Sequence, residues 1–161
     1  MQIQIISEKE QLDISLKLLK QAHTDDIEQS AVRLVIQEKN TLLMLRRSAH
    51  KGSPGYWELP GGSLESGEDV FSGARRELKE ETGRTISKFL SLLDTLEFTT
   101  MSRRKKCRQY ILSVTTNQDT VVLNPQEHDQ FAWFNKTEIS KLNTLPETKR
   151  FLLRFLKVQP L

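Results

Sequence analysis

Apolar residues fall along this chain in short runs whose spacing changes repeatedly, which predicts a mixture of strands and helices. Residues 2–6 alternate enough for a short strand. From residue 8 to 22, Leu12, Ile14, Leu16, Leu18 and Leu19 outline a helix with Ser7 as its cap, although their spacing is imperfect. Residues 23–29 are polar and read as a connection. Ala31 to Gln37 and Thr41 to Arg47 read as two strands joined by the polar turn Glu38-Lys39-Asn40, a hairpin. Gly52, Pro54 and Gly55 make residues 48–55 a loop, and Tyr56 to Leu59 is a short strand ended by Pro60-Gly61-Gly62.

The spacing of Phe71, Ala74 and Leu78 predicts a helix over residues 69–82, capped by Asp69 and stopped by Gly83. Ile86 to Phe98 holds one or two strands and Gln109 to Thr115 another, with Arg103 to Lys106 in the turn between them. Phe131 to Phe134 is a further short strand, in which Trp133 packs into the core. Thr137 to Leu142 and Glu147 to Leu156 are helical, the second with Phe151, Leu152 and Phe155 on its apolar face. Strands and helices mix without a βαβ rhythm. The expected fold is therefore α/β of the α+β kind, or a layered α/β/α domain.

Composition narrows the class. The 161 residues suffice for one domain with its own core, with residues 1–27 as a strand-and-helix extension and 28–161 as the body. No apolar run approaches the roughly 20 residues of a membrane span. The first residues, MQIQIISEKE, lack a basic segment followed by an apolar block, so no leader peptide is expected. The single cysteine, Cys107, permits no internal disulfide and reads as a small half-buried strand residue, in keeping with a cytoplasmic setting. The net charge of +3 is too small to demand a nucleic-acid partner. Its distribution says more: acidic groups crowd residues 58–81, and basic groups cluster at Arg46, Arg47 and Lys51 and around Arg103 to Arg108.

Glu77, Glu80 and Glu81 stand at i, i+3 and i+4, on one helix face. Spacing of this kind often marks only a solvated face. Placed against a core, however, three carboxylates raise each other's pKa and need cations. Hard ions such as Mg²⁺ or Mn²⁺ take oxygen ligands and bridge to substrate phosphates, so the cluster reads as a metal platform. Arg76 lies four residues before Glu80, and its guanidinium fork is suited to aiming a carboxylate. Gly61 and Gly62 allow a tight path that exposes backbone carbonyls, and the Gly61 carbonyl is a candidate metal ligand. Glu65 and Glu68 lie near the positive end of the helix, and Glu68 can point back at the cluster.

The string GGSLESGEDVFSGARRELKEETG resembles the Nudix hydrolase family. Gly62, Glu68, Arg76-Glu77, Leu78, Glu80-Glu81 and Gly83 stand at the family's spacings. One position departs: Arg84 occupies a place that is aliphatic in the pattern. Its role there is packing, and Ile86 is a candidate for the missing contact. The motif covers about 23 residues, and a looser resemblance runs from Ala31 to Trp133. The resemblance implies a Nudix α/β/α sandwich around a mixed sheet. It implies Glu77, Glu80 and Glu81 as metal ligands with Glu81 central, Gly61 as a carbonyl ligand, Glu68 as a supporting acid, and Mg²⁺, or Mn²⁺ in its place, as cofactor.

Hydrolysis at phosphorus needs an activated water and a proton acceptor. Family members draw the acceptor from the motif helix or from a later loop. Glu127, in NPQEHDQFAWF, resembles the late-loop glutamate of the MutT-like branch, and is a candidate base or extra metal ligand against the alternative of a surface acid. His128 reads as a surface histidine. Tyr56 and Trp57 either line the base-binding cleft or pack in the core. One of Arg46 and Arg47 is a candidate phosphate contact. The cationic turn from Arg103 to Lys106 reads as a solvated turn without the interleaved aromatics of a single-strand platform.

The implied activity is metal-dependent hydrolysis of a nucleoside diphosphate linked to another group, with a nucleoside triphosphate, an oxidised one included, as first substrate. Two rivals remain open. One is a catalytically silent module that binds a nucleotide or a partner. The other is a pyrophosphohydrolase of RNA 5′ ends.

Overall fold

The computed structural model describes residues 5–100, 104–117 and 120–158. Residues 2–4 of the expected first strand, and Arg103 of the basic turn, lie outside them. Ile6 still meets the sheet, donating its N–H to the Phe89 carbonyl at 2.9 Å.

Helix α1 spans Glu8–Thr24 and opens with a capping box in which Ser7 and Glu10 satisfy each other's backbone N–H groups. Its imperfect spacing has a simple cause. Ile14, Leu18 and Leu19 pack on the core, while Leu12 and Leu16 face solvent. Strands β1 (Gln29–Glu38) and β2 (Thr41–Arg47) form the expected hairpin. Lys39 and Asn40 both take positive φ, at 45° and 63°, which matches the twist of a two-residue hairpin turn.

The hairpin does not stay paired. β2 contacts β1 in register only at Gln37–Leu42 and Glu38–Thr41, then diverges to pair with β3 (Trp57–Glu58) and β6 (His128–Phe134). β1 instead runs parallel to β5 (Lys106–Thr116), from Gln29–Cys107 to Ile36–Val114. β4 (Ile86–Thr99) lies antiparallel on the outer side of β5. The gap left beside β1 is filled by the chain from Pro60 to Leu64. There Leu34 N–H donates to Pro60 O at 2.8 Å, Val32 N–H to Gly62 O at 2.9 Å, and Leu64 N–H to Ser30 O at 2.9 Å. The glycine loop is thus stitched to a central strand.

The sheet is covered on both faces, which explains why β1 and β2 read as nearly continuous apolar runs. On one face Val32, Leu34, Ile36, Leu43, Leu45, Tyr110 and Leu112 pack under α1 and helix α2 (Val70–Thr82). On the other, Val35, Leu42, Met44 and Ile111 pack under α3 (Lys136–Lys141) and α4 (Pro146–Val158). This is the expected α/β/α sandwich around a mixed sheet. β6 starts earlier than its apolar residues indicate, because His128 and Gln130 pair with β2 as well, on either side of a register shift at Asp129.

Candidate active site

Helix α2 carries the acidic cluster, and its sequence fixes both ends. The Asp69 side chain accepts from Phe71 and Ser72 N–H, and Gly83 closes the helix in the left-handed conformation at φ 69°. Val70, Phe71, Ala74 and Leu78 enter the core, so Arg76, Glu77, Glu80 and Glu81 turn toward the glycine loop.

Arg76 is the hub of the outer part of this face. It was expected to aim Glu80, and it does reach Glu80 at 3.2 Å. Its stronger contact is the two-pronged one to Glu68, with Nε and Nη2 each at 2.8 Å. It also donates to Glu77 at 2.9 Å and to the Ser63 carbonyl at 3.0 Å. The two-pronged bond from Arg76 holds the Glu68 carboxyl below its ordinary range. Burial pushes the Glu77 carboxyl upward despite Arg76. Gly62 leaves room for the Glu77 carboxylate in this position, because a Cβ on it would stand 2.5 Å from a Glu77 carboxylate oxygen and push that side chain aside.

Glu81 lies deeper and is fully buried. Its Oε2 accepts from Gly61 N–H at 2.7 Å, while Oε1 has no hydrogen-bond partner. Burial drives its carboxyl up to about 8. Gly61 sits at φ 130°, packed so closely on β1 that a Cβ would collide with the Val32 carbonyl. The Arg33 guanidinium donates to the Gly61 carbonyl, the atom expected to ligate metal.

Beside Glu81 stands a buried acid that the sequence reading passed over. Glu58 meets Arg47 at 2.7 Å, Arg33 at 3.5 Å, Lys51 at 3.6 Å and His128 at 2.9 Å. Burial pushes its carboxyl up, but Arg33, His128, Arg47 and Lys51 together outweigh it and hold it well below the carboxylate range. The surface reading of His128 is therefore corrected. Its ring is buried, with Nε2 on Glu58 and Nδ1 3.8 Å from Glu81 Oε1. β6 pairs with β2 at this point, and the inward side of that strand pair admits a polar ring only where a carboxylate receives it.

Across from α2, Glu127 meets Lys51 at 2.6 Å and Asn124 at 3.3 Å. Between these walls lies a cleft of about 360 Å³, lined among others by Arg33, Arg47, Lys51, Gly62, Glu77, Glu80 and Glu127. Its far end reaches Gln29, Phe98, Thr100, Cys107 and Gln109. Cys107 is buried rather than half-buried.

Other expected site residues do not come to this cleft. Arg46 pairs with Asp129 at 2.7 Å on the surface. Trp57 meets Phe134 edge-on at 4.8 Å and joins the α3–α4 core, and Tyr56 is absent from the cleft walls. Arg84, in the aliphatic place of the motif, is buried. It pairs with Glu38 at 2.7 Å and lies 5.5 Å from the Trp133 ring centre. Arg33, Lys51, Glu58 and His128 were missed as site residues. Arg33 left a signal, being the one charge inside an otherwise apolar strand run.

A hard divalent ion fits this donor set. Glu81 presents a buried oxygen without a partner, Gly62 leaves room for the Glu77 carboxylate, and the remaining donors are oxygens. Glu58, Glu81 and His128 also bring ligand atoms within 4.8 Å of one another. Arg33 and Arg47 already neutralise Glu58, which makes Glu58 and His128 a support for Glu81 rather than the better ligands.

Fold and cleft together define an α/β/α protein with a carboxylate helix beneath a cation-lined groove. The NUDIX domain family matches residues 28–155, and the chain belongs to the Nudix hydrolase family. The RNA pyrophosphohydrolase of Rhizobium meliloti is 28% identical over 116 residues, covering 65% of this chain and 70% of that protein. The 8-oxo-dGTP diphosphatase of Escherichia coli is 39% identical over 70 residues, covering 44% of this chain and 54% of that protein. Among solved structures, a MutT protein from Methanosarcina mazei superposes with a TM-score of 0.71 at 30% identity, covering 81% of this chain and 94% of that one. No helix among the described residues is long and apolar enough to cross a membrane.

Proposed function

We propose that the chain is a Mg²⁺-dependent hydrolase of the diphosphate linkage in a nucleoside diphosphate derivative, with a nucleoside triphosphate as first candidate. One observation carries this reading. Carboxylates from α2 and from the Glu127 loop converge on the same cleft as Arg33, Arg47 and Lys51. A groove with both signs of charge suits a metal–diphosphate complex, in which the ion meets the carboxylates and the phosphates meet the cations.

The roles follow from position. Glu77, Glu80, Glu81 and the Gly61 carbonyl would hold the ion, and when bound it supplies charge stabilisation and a more acidic water. Gly61 N–H fixes the orientation of Glu81. Arg76 braces Glu77 and Glu80 against Glu68. Glu127, which lines the same cleft, would accept the proton of the attacking water. Arg33 and Arg47 line the groove where phosphate charge would lie. At the far end, the Phe98 ring and the amides of Gln29 and Gln109 offer a stacking face and hydrogen-bonding groups that suit a nucleobase.

An RNA 5′ end is a second reading, favoured by one contact. Arg104 and Lys105 donate backbone N–H groups to Thr100, a residue of the cleft wall, so the basic turn stands at the rim. Lys106 and Arg108 are committed elsewhere, both bonding Asp25.

The test is a panel of nucleoside triphosphates, nucleotide sugars, dinucleoside polyphosphates and 5′-triphosphorylated RNA, assayed with and without Mg²⁺ beside Glu81→Gln. Metal-dependent turnover that the variant loses is expected. No turnover of any member would sink the enzyme reading and leave the silent module, while full activity in Glu81→Gln would remove the metal assignment.

A further inference from the structure

Lys51 lies in the loop between β2 and β3, and its ammonium reaches the place where carboxylates from three separate segments meet. Nζ is 2.6 Å from Glu127, 3.6 Å from Glu58 and 3.7 Å from Glu81. The third contact is to Oε1 of Glu81, the buried oxygen that has no hydrogen-bond partner. Arg33 and Arg47 are spent on Glu58. Among the described residues, Lys51 is therefore the one lysine or arginine within 4.0 Å of Glu81.

We infer that Lys51 is a tethered competitor for the metal position. Its ammonium and a divalent ion compete for Glu81, and metal entry transfers the lysine from Glu81 and Glu127 to the substrate diphosphate. The inference rests on the metal-assisted reading above. An ammonium and a divalent ion at the same buried oxygen oppose each other, because unit and double charges a few ångströms apart repel strongly in a partly dry site. The displaced group has somewhere to go, since Lys51 lines the same cleft as Arg33 and Arg47. The loop backbone need not move. Lys51 N–H is held by the Ser48 carbonyl, Gly55 N–H by the Arg47 carbonyl, and Arg47 Nε by the Gly52 carbonyl. Rotation of the four-carbon stem suffices, and a lysine is suited to such an exchange because its point charge makes no fixed fork.

Two consequences separate this role from that of a fixed phosphate ligand. Metal should free Lys51 for chemistry in solution, and a bound diphosphate should then capture it. Metal and substrate affinities should also rise together, since each removes what opposes the other.

The experiment uses the full chain, stripped of metal with EDTA. Reductive methylation of Lys51 is followed by mass spectrometry alone, with Mg²⁺, and with Mg²⁺ plus an imidodiphosphate analogue of a nucleoside triphosphate. Exposed Lys88 on β4 serves as the internal reference. The expected result is several-fold faster modification of Lys51 with Mg²⁺, suppressed again by the analogue, at an unchanged Lys88 rate. In parallel, Mn²⁺ binding is titrated by electron paramagnetic resonance in the wild type and in Lys51→Met. The variant should bind Mn²⁺ several-fold more tightly while its KM for substrate rises. Saturable Mn²⁺ binding with Lys51 reactivity unchanged or lowered by metal overturns the exchange alone, as does equal or weaker Mn²⁺ binding by Lys51→Met. Absence of saturable Mn²⁺ binding overturns the metal reading and the exchange with it.

Discussion

Glu81→Gln should inactivate the protein and at the same time stabilise it. Burial drives the Glu81 carboxyl from its ordinary value of 4.5 up to about 8, so the folded chain holds a proton there that the unfolded chain releases. Between those two values the folded state binds more protons, and stability must fall as pH rises. At about 1.4 kcal/mol per pH unit, that window sets a ceiling on the order of 5 kcal/mol for the penalty at pH 8 and above. Glutamine keeps an oxygen for the Gly61 N–H and carries no charge to desolvate. Lys51 loses one of its three carboxylates in exchange, which returns part of the gain.

The net expectation is a variant more stable by roughly 2 kcal/mol at pH 8, or about 4–8 °C in Tm for a chain of this size. The assay is thermal unfolding in EDTA from pH 5 to pH 8, comparing the two proteins at each pH. Their difference should approach zero at pH 5 and open as pH rises. Glu58 does not blur the comparison. Its carboxyl is held low, so the stability it contributes is already complete above its ordinary value and is lost only in acid. Mg²⁺ at pH 8 should raise the wild type toward the variant and leave the variant unmoved. Parallel curves across the whole range, or a variant less stable at pH 8, would refute the claim that Glu81 is a charge buried against its preference.

Three further outcomes follow from the same geometry. Arg76→Ala frees Glu68, Glu77 and Glu80 at once, and kcat/KM should fall about 10- to 100-fold; Arg76→Lys should lose nearly as much, since it cannot reproduce the two-pronged contact with Glu68. Gly61→Ala forces a Cβ against the Val32 carbonyl at a φ of 130°, and chemical denaturation should show a loss of about 3 kcal/mol or more, with wild-type stability refuting the close approach. Arg84→Leu, which restores an aliphatic residue, should stay within about 1 kcal/mol of the wild type, because half-exposed Glu38 can turn to water, whereas Arg84→Ala should lose about 2 kcal/mol by leaving a hole beside Trp133.

The elements were legible where local rules act alone. Phe71, Ala74 and Leu78 disclose α2 because helical spacing is a local property, and Asp69 and Gly83 disclose its ends for the same reason. The runs in β1 and β2 disclose a buried hairpin. The parting of that hairpin was not legible, because it depends on what the two strands meet after Gln37 and Leu42: β5 on one side, β3 and β6 on the other. The inner half of the site was hidden by the same limit. His128 looks like a surface residue among Gln126, Glu127 and Asp129, and only a partner 70 residues away makes its burial tolerable. Tyr56 and Trp57 adjoin the glycine loop in sequence, yet strand alternation sends Trp57 to the opposite core while Glu58 turns inward.

That alternation also bears on which buried acid is the better candidate for the ion. Glu58 and Glu81 are neighbours in one buried cluster, but their surroundings drive them in opposite directions. Glu58 is met by Arg33, Arg47, Lys51 and His128, so it remains an anion with its charge already matched. A further cation there would have to displace guanidiniums fixed on the sheet. Glu81 has one backbone hydrogen bond, one oxygen without a hydrogen-bond partner, an ammonium no nearer than 3.7 Å and otherwise only the more distant charge of Arg33, which burial outweighs. Its charge is under-compensated by the protein, and a mobile cation can therefore gain most at that carboxylate. The four groups on Glu58 keep the sheet side of the cluster occupied, and the under-matched oxygen of Glu81 is the place proposed for an ion, with Lys51 as its proposed rival.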